Sequence, residues 1–198
     1  MIKNLEKLLQ FLPLGYLYLI ILGILKQSLL YNQLGVNILN YSSVMDILLG
    51  PIADLTANIS LIIAVIMIVT LTLALSFYVS KNTDKRITQK LVGLKTDDIS
   101  TAKENQNKIK NRFLLAMAVF LLSFFLGFGW GSGAKIAKKI KSNQLEFLSI
   151  LKFNTGEKQQ IYLIGSNSLY YFYVTKENKN VKIAPITAIK EIELQPKL

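Results

Sequence analysis

The sequence predicts an α-helical membrane protein with three transmembrane helices and a small C-terminal all-β module. Two observations support this fold class: three long apolar stretches, and a change to alternating periodicity near residue 145 of the 198-residue chain. Roughly 20 apolar residues in a helix span the ~30 Å hydrocarbon core of a bilayer. The three stretches approach that length, so the protein is expected to be integral to a membrane.

The membrane part is expected to cover residues 1–134, with spans at about 11–30, 61–79 and 113–134. Basic residues precede the first span, as in a signal peptide, but no small-residue cleavage site follows, so this segment is expected to be an uncleaved span. Lys26 lies inside this first span. It either lines a conduction path or extends its ammonium group to the membrane interface, and the second interpretation is preferred.

Residues 36–52 are fairly apolar but contain several Asn and Ser residues and one carboxylate. They predict an interfacial helix, a re-entrant hairpin broken at Gly50–Pro51, or a weak fourth span. Asp46 in this segment is a candidate ion or proton ligand. An exposed carboxylate on an interfacial helix is the preferred interpretation of the same residue.

Four glycines occur within seven residues at the end of the third span: Gly127, Gly129, Gly131 and Gly133. They form two pairs with a spacing of four, and small residues at that spacing let two helices approach closely. This segment is therefore expected to be an oligomer contact or a hinge. A frayed span end with Trp130 as its interfacial anchor is an equally weighted alternative.

Residues 135–144 form a basic juxtamembrane linker, and residues 145–198 form the β module. Its alternating apolar pattern predicts five strands with turns at residues 154–156, 166–168 and 177–180. Five strands with one short helical turn before the last resemble SH3-like and Sm-like five-stranded barrels. Tyr171 and Tyr173 are candidates for the module surface, although tyrosine in so small a module is first expected to build the core.

The distribution of positive charge predicts the orientation. The N-terminal flank and the basic polar loop at residues 80–112 together hold eleven Lys or Arg, against four in the first part of the tail. The positive-inside rule then places the N-terminus in the cytoplasm and the β module outside, across the cell (inner) membrane. The predominance of Lys, with abundant Asn and Ile, suggests a bacterial source.

The missing residue types limit the chemistry. Without Cys and His the chain lacks thiolate nucleophiles, the commonest general base and the commonest metal ligand, so neither a cofactor nor an enzymatic activity is expected. Scattered charge without an RNA-binding motif argues against nucleic-acid binding. We expect a non-enzymatic, homo-oligomeric membrane protein that presents its β module to a protein partner or ligand, as a subunit of an envelope, sensor or defence complex. A membrane enzyme using Asp46, Asp54 or Lys26 is the weakest alternative.

A channel is the main alternative. In plan, three spans with a glycine-rich third helix and a small β barrel after it are similar to the small-conductance mechanosensitive channel family. The resemblance covers architecture alone and implies an oligomer whose third helix lines a pore. The chain departs from that family in two respects, because it stops after one β module and because its charge distribution predicts an external rather than a cytoplasmic module.

Overall fold

A computed structural model describes residues 2–82 and 102–194 of the chain, with side chains described over 12–82 and 106–194. Most of the basic loop expected at residues 80–112 therefore lies outside the described residues. The described part contains four α-helices: α1 (Ile2–Asn32), α2 (Val44–Ala57), α3 (Ile59–Lys81) and α4 (Ala102–Lys141). Short 3₁₀ turns occupy Ile38–Asn40 and Ile186–Ala188.

Three of these helices are long and apolar enough to cross a membrane, over Leu12–Asn32, Ile59–Lys81 and Gln106–Lys141. This confirms the three long apolar helices predicted from the sequence. The helix α4 runs without interruption through all four of its glycines and ends with Lys138, Lys139 and Lys141 in its last turn. Positive side chains there interact favourably with the free carbonyl groups at the helix C-terminus.

The chain divides into two compact units, one formed by Met1–Ala53 with Phe125–Leu198 and the other by Asp54–Phe124. In the second unit, the end of α3 packs against the beginning of α4 through Val79, Ile109 and Phe113. The first unit contains α1, most of α2, the end of α4 and the whole sheet. All the sites described below lie within this first unit.

The end of the chain folds into an antiparallel sheet of five strands: β1 (Ser149–Phe153), β2 (Lys158–Ser166), β3 (Tyr170–Thr175), β4 (Lys182–Pro185) and β5 (Ile189–Leu194). The strand order is β4-β3-β2-β1-β5, with a single 3₁₀ turn between β4 and β5. The five strands are thus confirmed, although β1 begins at Ser149 and not at Leu145. Within the described residues β4 and β5 remain unpaired edges, so the predicted closure into a barrel is not confirmed.

Both faces of the sheet carry a core. On one face Leu151, Ile161, Tyr173 and Ala184 pack together, with partly buried apolar residues of β1, β2 and β5 around them. On the other face Phe172 of β3 is fully buried against Tyr31 and Ile38, which belong to the end of α1 and the loop after it. The sheet therefore packs directly on the helical part of the first unit.

Candidate functional site

The sheet meets the helices at one contact, which we call the helix–sheet joint. The joint comprises Tyr31, Ile38, Tyr41, Ser43 and Asp46 from the helical part and Gly165, Asn167, Ser168, Tyr170 and Phe172 from the sheet.

Aromatic rings form the apolar half of the joint. The ring centroids of Tyr31 and Phe172 lie 5.0 Å apart, and Tyr41 packs edge-on against Phe172 at 6.2 Å and against Tyr170 at 5.5 Å. Tilted and edge-to-face pairs contribute about 0.5–1.5 kcal/mol each beyond the buried area. Because no side chain of the pairs is charged, this part of the joint is insensitive to salt.

Two glycines let the chain form this contact. Gly35, with φ +74°, follows the end of α1 and permits the reversal that brings Val36 N–H back to the carbonyl of Tyr31, at 3.0 Å. Gly165 lies where the register of β2 against β3 shifts, and a Cβ there would lie 2.8 Å from the hydroxyl oxygen of Tyr31. The irregularity in β2 thus makes room for the tyrosine.

Asp46 caps the helix that contains it. Ser43 precedes α2, and its hydroxyl oxygen accepts a hydrogen bond from Asp46 N–H at 3.1 Å. In return, an Asp46 carboxylate oxygen accepts from Ser43 N–H at 2.9 Å and from the Ser43 hydroxyl at 2.7 Å. This reciprocal arrangement is a capping box, which satisfies two backbone donors at the start of a helix.

The same carboxylate also holds the sheet. Its two oxygens accept from Ser168 N–H at 3.0 Å and from the Ser168 hydroxyl at 2.9 Å, across 122 positions of sequence. Partial burial raises the pKa of Asp46, but the hydrogen bonds from Ser43 and Ser168 outweigh it and bring the pKa below its ordinary value of 3.8. Asp46 is therefore ionised at neutral pH and joins α2 to the β2–β3 turn.

Asn167 strengthens this attachment from the neighbouring position. Its side-chain oxygen accepts from Leu169 N–H at 3.0 Å and from Tyr170 N–H at 2.8 Å, which fixes the β2–β3 turn. Its side-chain nitrogen donates to the carbonyl of Tyr41 at 2.8 Å. The turn is thus held to the helical part by both Asn167 and Ser168.

Gly23 of α1 allows α2 to pack closely. Any Cβ at Gly23 would overlap the carbonyl oxygen of Ile47. That carbonyl lacks its usual helical partner, because Pro51 four residues later has no N–H. The break expected at Gly50–Pro51 is wrong, because α2 continues through both residues and the proline frees one carbonyl without ending the helix. Whether this segment lies at the membrane interface, re-enters the membrane or spans it stays a prediction.

The two glycine pairs of α4 have different surroundings. A Cβ at Gly129 would lie 2.5 Å from the carbonyl oxygen of Lys26. A Cβ at Gly133 would overlap the carbonyl oxygen of Leu30. At Gly127 and Gly131, no atom of the described residues lies within 4 Å of such a Cβ. One pair therefore packs α4 against α1 inside the chain, while the other faces away from α1.

Lys26 lies in the same contact between α1 and α4. Its side chain is only 7% exposed, and its ammonium nitrogen lies 5.7 Å from the centre of the Phe128 ring. A cation at that distance over an aromatic face is attracted by the ring quadrupole. The conduction role considered for Lys26 stays a prediction.

The two tyrosines considered for the module surface contribute to its core. Tyr173 is 4% exposed within the cluster of Leu151 and Ile161, and Tyr171 is half-buried beside it. Burial, and then the negative charge of Glu157, raise the pKa of Tyr173 above its ordinary value. Tyr173 is therefore not a surface residue, and its hydroxyl stays protonated at neutral pH.

A groove lined by lysines lies at the end of α4. Two adjoining cavities of about 500 Å³ and 580 Å³ share Gln33, Ala137 and Lys141 as walls. Lys138 lines one of them, and Lys179 and Asn180 of the β3–β4 turn line the other. We call this surface the basic groove.

A metal centre is not visible in the described part of the chain, where no three His, Cys, Asp or Glu side chains come close enough together to hold an ion. Both oxygens of Asp46 accept hydrogen bonds from serines, an arrangement suited to holding structure. Comparison with protein-family models, curated proteins and solved structures found no match.

Part of the joint has a signal that sequence reasoning missed. The spacing Ser43-x-x-Asp46 before an apolar run is a capping-box pattern, and it would have placed the start of α2 at Val44. Ser168 carries no such signal, because a serine in a turn does not indicate a partner 122 positions away. The same holds for Gln33 and Lys179 in the basic groove.

Proposed function

We propose that this chain is a non-enzymatic integral membrane protein that holds a small β module in a fixed position for binding a protein partner or ligand, as a subunit of a membrane complex. The helix–sheet joint is the observation that carries this proposal. A module fixed to its helices by an ionised carboxylate, an asparagine and four aromatic rings can transmit force or a change of position between the membrane and a partner. A module tethered only by a flexible linker cannot.

Three crossings agree with the packing of the first unit. The contacts of Gly129 with Lys26 and of Gly133 with Leu30 advance by four residues on both helices, so α1 and the end of α4 run parallel. Parallel first and last spans require an odd number of crossings. The helix α2 has 14 residues, about 21 Å, which is shorter than the hydrocarbon core, so α3 supplies the return crossing.

The proposed orientation has the N-terminus in the cytoplasm and the module outside the cell (inner) membrane of a bacterium. The absence of native Cys allows a direct test. Asn178 is exposed in the turn between β3 and β4, so an Asn178→Cys variant of the full chain presents one thiol. Labelling of intact cells by a membrane-impermeant maleimide supports an external module, and labelling only after lysis contradicts it.

The binding role has its own test, which uses the same position. A photo-crosslinker at residue 178 should capture a discrete partner in intact cells. Asp46→Ala and Ser168→Ala should reduce that capture while leaving the amount of membrane-inserted protein unchanged, because they loosen the joint and not the spans. Capture that is unaffected by both substitutions would contradict the role proposed for the joint.

A homo-oligomeric channel is the second candidate, and one observation favours it. Gly127 and Gly131 leave a small-residue face of α4 without a neighbour in the described chain, where α4 of another copy can approach. We also propose that the edge strands β4 and β5 pair, either with each other to close a barrel or with the edge strands of another copy. Single-channel recording from planar bilayers tests this candidate. Leu115→Val serves as the control, because Leu115 is exposed on α4. A conductance that changes in Gly131→Leu but not in Leu115→Val supports a pore lined by α4.

A further inference from the structure

The basic groove brings three lysines from two distant parts of the chain together. Lys138 and Lys141 are one turn apart on α4, above a floor of small residues that includes Ala137. Lys179 comes from the β3–β4 turn, and its ammonium nitrogen lies 3.5 Å from the carbonyl oxygen of Lys141. The fold thus places Lys179 beside the end of α4.

Among the residues that the structure describes, no negative charge lines the groove to balance these cations. Its lining includes no Asp or Glu, and none of the three lysines forms a salt bridge with a described residue. The side-chain amides of Gln33 and Asn180 add donors on either side. Lysine ammonium groups and amide N–H groups around an open cavity suit the oxygens of a phosphate group.

The position of the groove favours a lipid as the source of that phosphate. Gln33 directly follows the last residue of α1, and Lys141 is the last residue of α4, so the groove lies where two long apolar helices end together. Leu34, Val36 and Val181 give one cavity an apolar wall. If the helices cross a bilayer as proposed, the lysines at their ends lie among the headgroups.

We infer that the basic groove binds the phosphate headgroup of an anionic phospholipid. This inference rests on the proposed membrane insertion of α1 and α4. Because Lys179 belongs to the sheet and Lys138 and Lys141 belong to the helix, the bound headgroup bridges the two and adds to the helix–sheet joint. Anionic lipid would then set the position of the module relative to the membrane surface.

The single tryptophan of the chain provides the assay. Trp130 is 56% exposed on α4, and eight residues, about 12 Å, separate it from Lys138. The full chain is reconstituted into vesicles in which either phosphatidylglycerol or phosphatidylcholine carries brominated acyl chains, which quench a tryptophan that they touch. We expect brominated phosphatidylglycerol to quench Trp130 at the lower mole fraction.

A groove variant with three lysines replaced and a control variant with two lysines replaced elsewhere assign the preference to the groove. We expect the preference for phosphatidylglycerol to be lost in the triple variant Lys138→Gln/Lys141→Gln/Lys179→Gln. Each lysine removed should reduce the ratio of the affinities for phosphatidylglycerol and phosphatidylcholine by about fivefold. Lys158→Gln/Lys190→Gln removes two exposed lysines of the sheet and should keep it. Lys179→Gln alone, in an exposed turn, tests the groove without altering a helix.

The outcomes separate this inference from the proposed function. If neither brominated lipid quenches Trp130, membrane insertion of α4 is refuted. The lipid site in the basic groove is then refuted as well, because it requires that insertion. Equal quenching by both lipids, or a preference that survives in the groove variants, overturns the lipid site and leaves insertion intact. Loss of the preference on adding millimolar soluble glycerol phosphate would assign the groove to a free phosphate compound and overturn the assignment to lipid.

Discussion

The two glycine pairs of α4 allow a comparison in which intrinsic helix propensity cancels. Gly129→Ala and Gly131→Ala make the same chemical change two residues apart in one helix. Both gain up to about 1 kcal/mol because alanine is the better helix former. Only Gly129→Ala also introduces a Cβ at 2.5 Å from the carbonyl oxygen of Lys26, while the Cβ of Gly131→Ala has no neighbour within 4 Å.

In the monomeric protein, which light scattering identifies, the difference between the two variants therefore measures the close contact alone. A Cβ at that distance from backbone forces α1 and α4 apart, and overpacking of this kind costs about 1–3 kcal/mol. For a chain of 198 residues, 1 kcal/mol corresponds to about 2–4 °C in Tm, so Gly129→Ala should unfold about 2–12 °C below Gly131→Ala. A second comparison uses Gly133→Ala, whose Cβ would meet Leu30, and Gly127→Ala, whose Cβ would meet no described atom.

Scanning fluorimetry of the purified protein in detergent, followed through its single tryptophan, is the assay. Light scattering on the same samples measures the molar mass of the protein. A change of that mass in Gly131→Ala would indicate that Gly131 takes part in oligomerisation. Equal melting temperatures for Gly129→Ala and Gly131→Ala would refute the packing of α4 on α1 described here. A lower melting temperature for Gly131→Ala than for Gly129→Ala would do so more strongly.

The remaining predictions concern the joint and the packing of α2. Asp46→Ala should cost about 1–3 kcal/mol of unfolding free energy at neutral pH, since it removes the capping box and the bonds to Ser168. Because the pKa of Asp46 lies below 3.8, this contribution is present above that pH and disappears as the pH falls through the lowered pKa, so the Tm values of the variant and the wild type should converge in acid. Phe172→Ala should cost about 3–5 kcal/mol, measured by chemical denaturation, because its ring is fully buried in the joint; a loss below 1 kcal/mol would place the ring outside it. Gly23→Ala should lower Tm, whereas Gly15→Ala, which has open space, should not; similar Tm values would contradict the contact with Ile47.

Much of the fold follows from local pattern. The apolar stretches are long enough to make helices α1, α3 and α4 wherever they pack, because length and composition are properties of the segment itself. The alternation in residues 145–194 likewise specifies strands, since a strand directs successive side chains to opposite faces. Even the capping box of α2 is local, because Ser43 and Asp46 are three residues apart.

The roles of the α4 glycines and of Asp46 depend on contacts between distant segments, which a local sequence pattern does not indicate. The pairs Gly127/Gly131 and Gly129/Gly133 have identical spacing, and two residues rotate a helix by about 200°, so only the position of α1 decides which pair is covered. The sequence makes Asp46 a candidate ligand and, by preference, an exposed carboxylate, and it does not indicate the structural role because the partner Ser168 is 122 residues away. The sequence by itself determined the three long helices, the five strands and the absence of thiol and imidazole chemistry. Only the tertiary structure decided which side of each element meets another, because that depends on packing between segments that the chain order does not bring together.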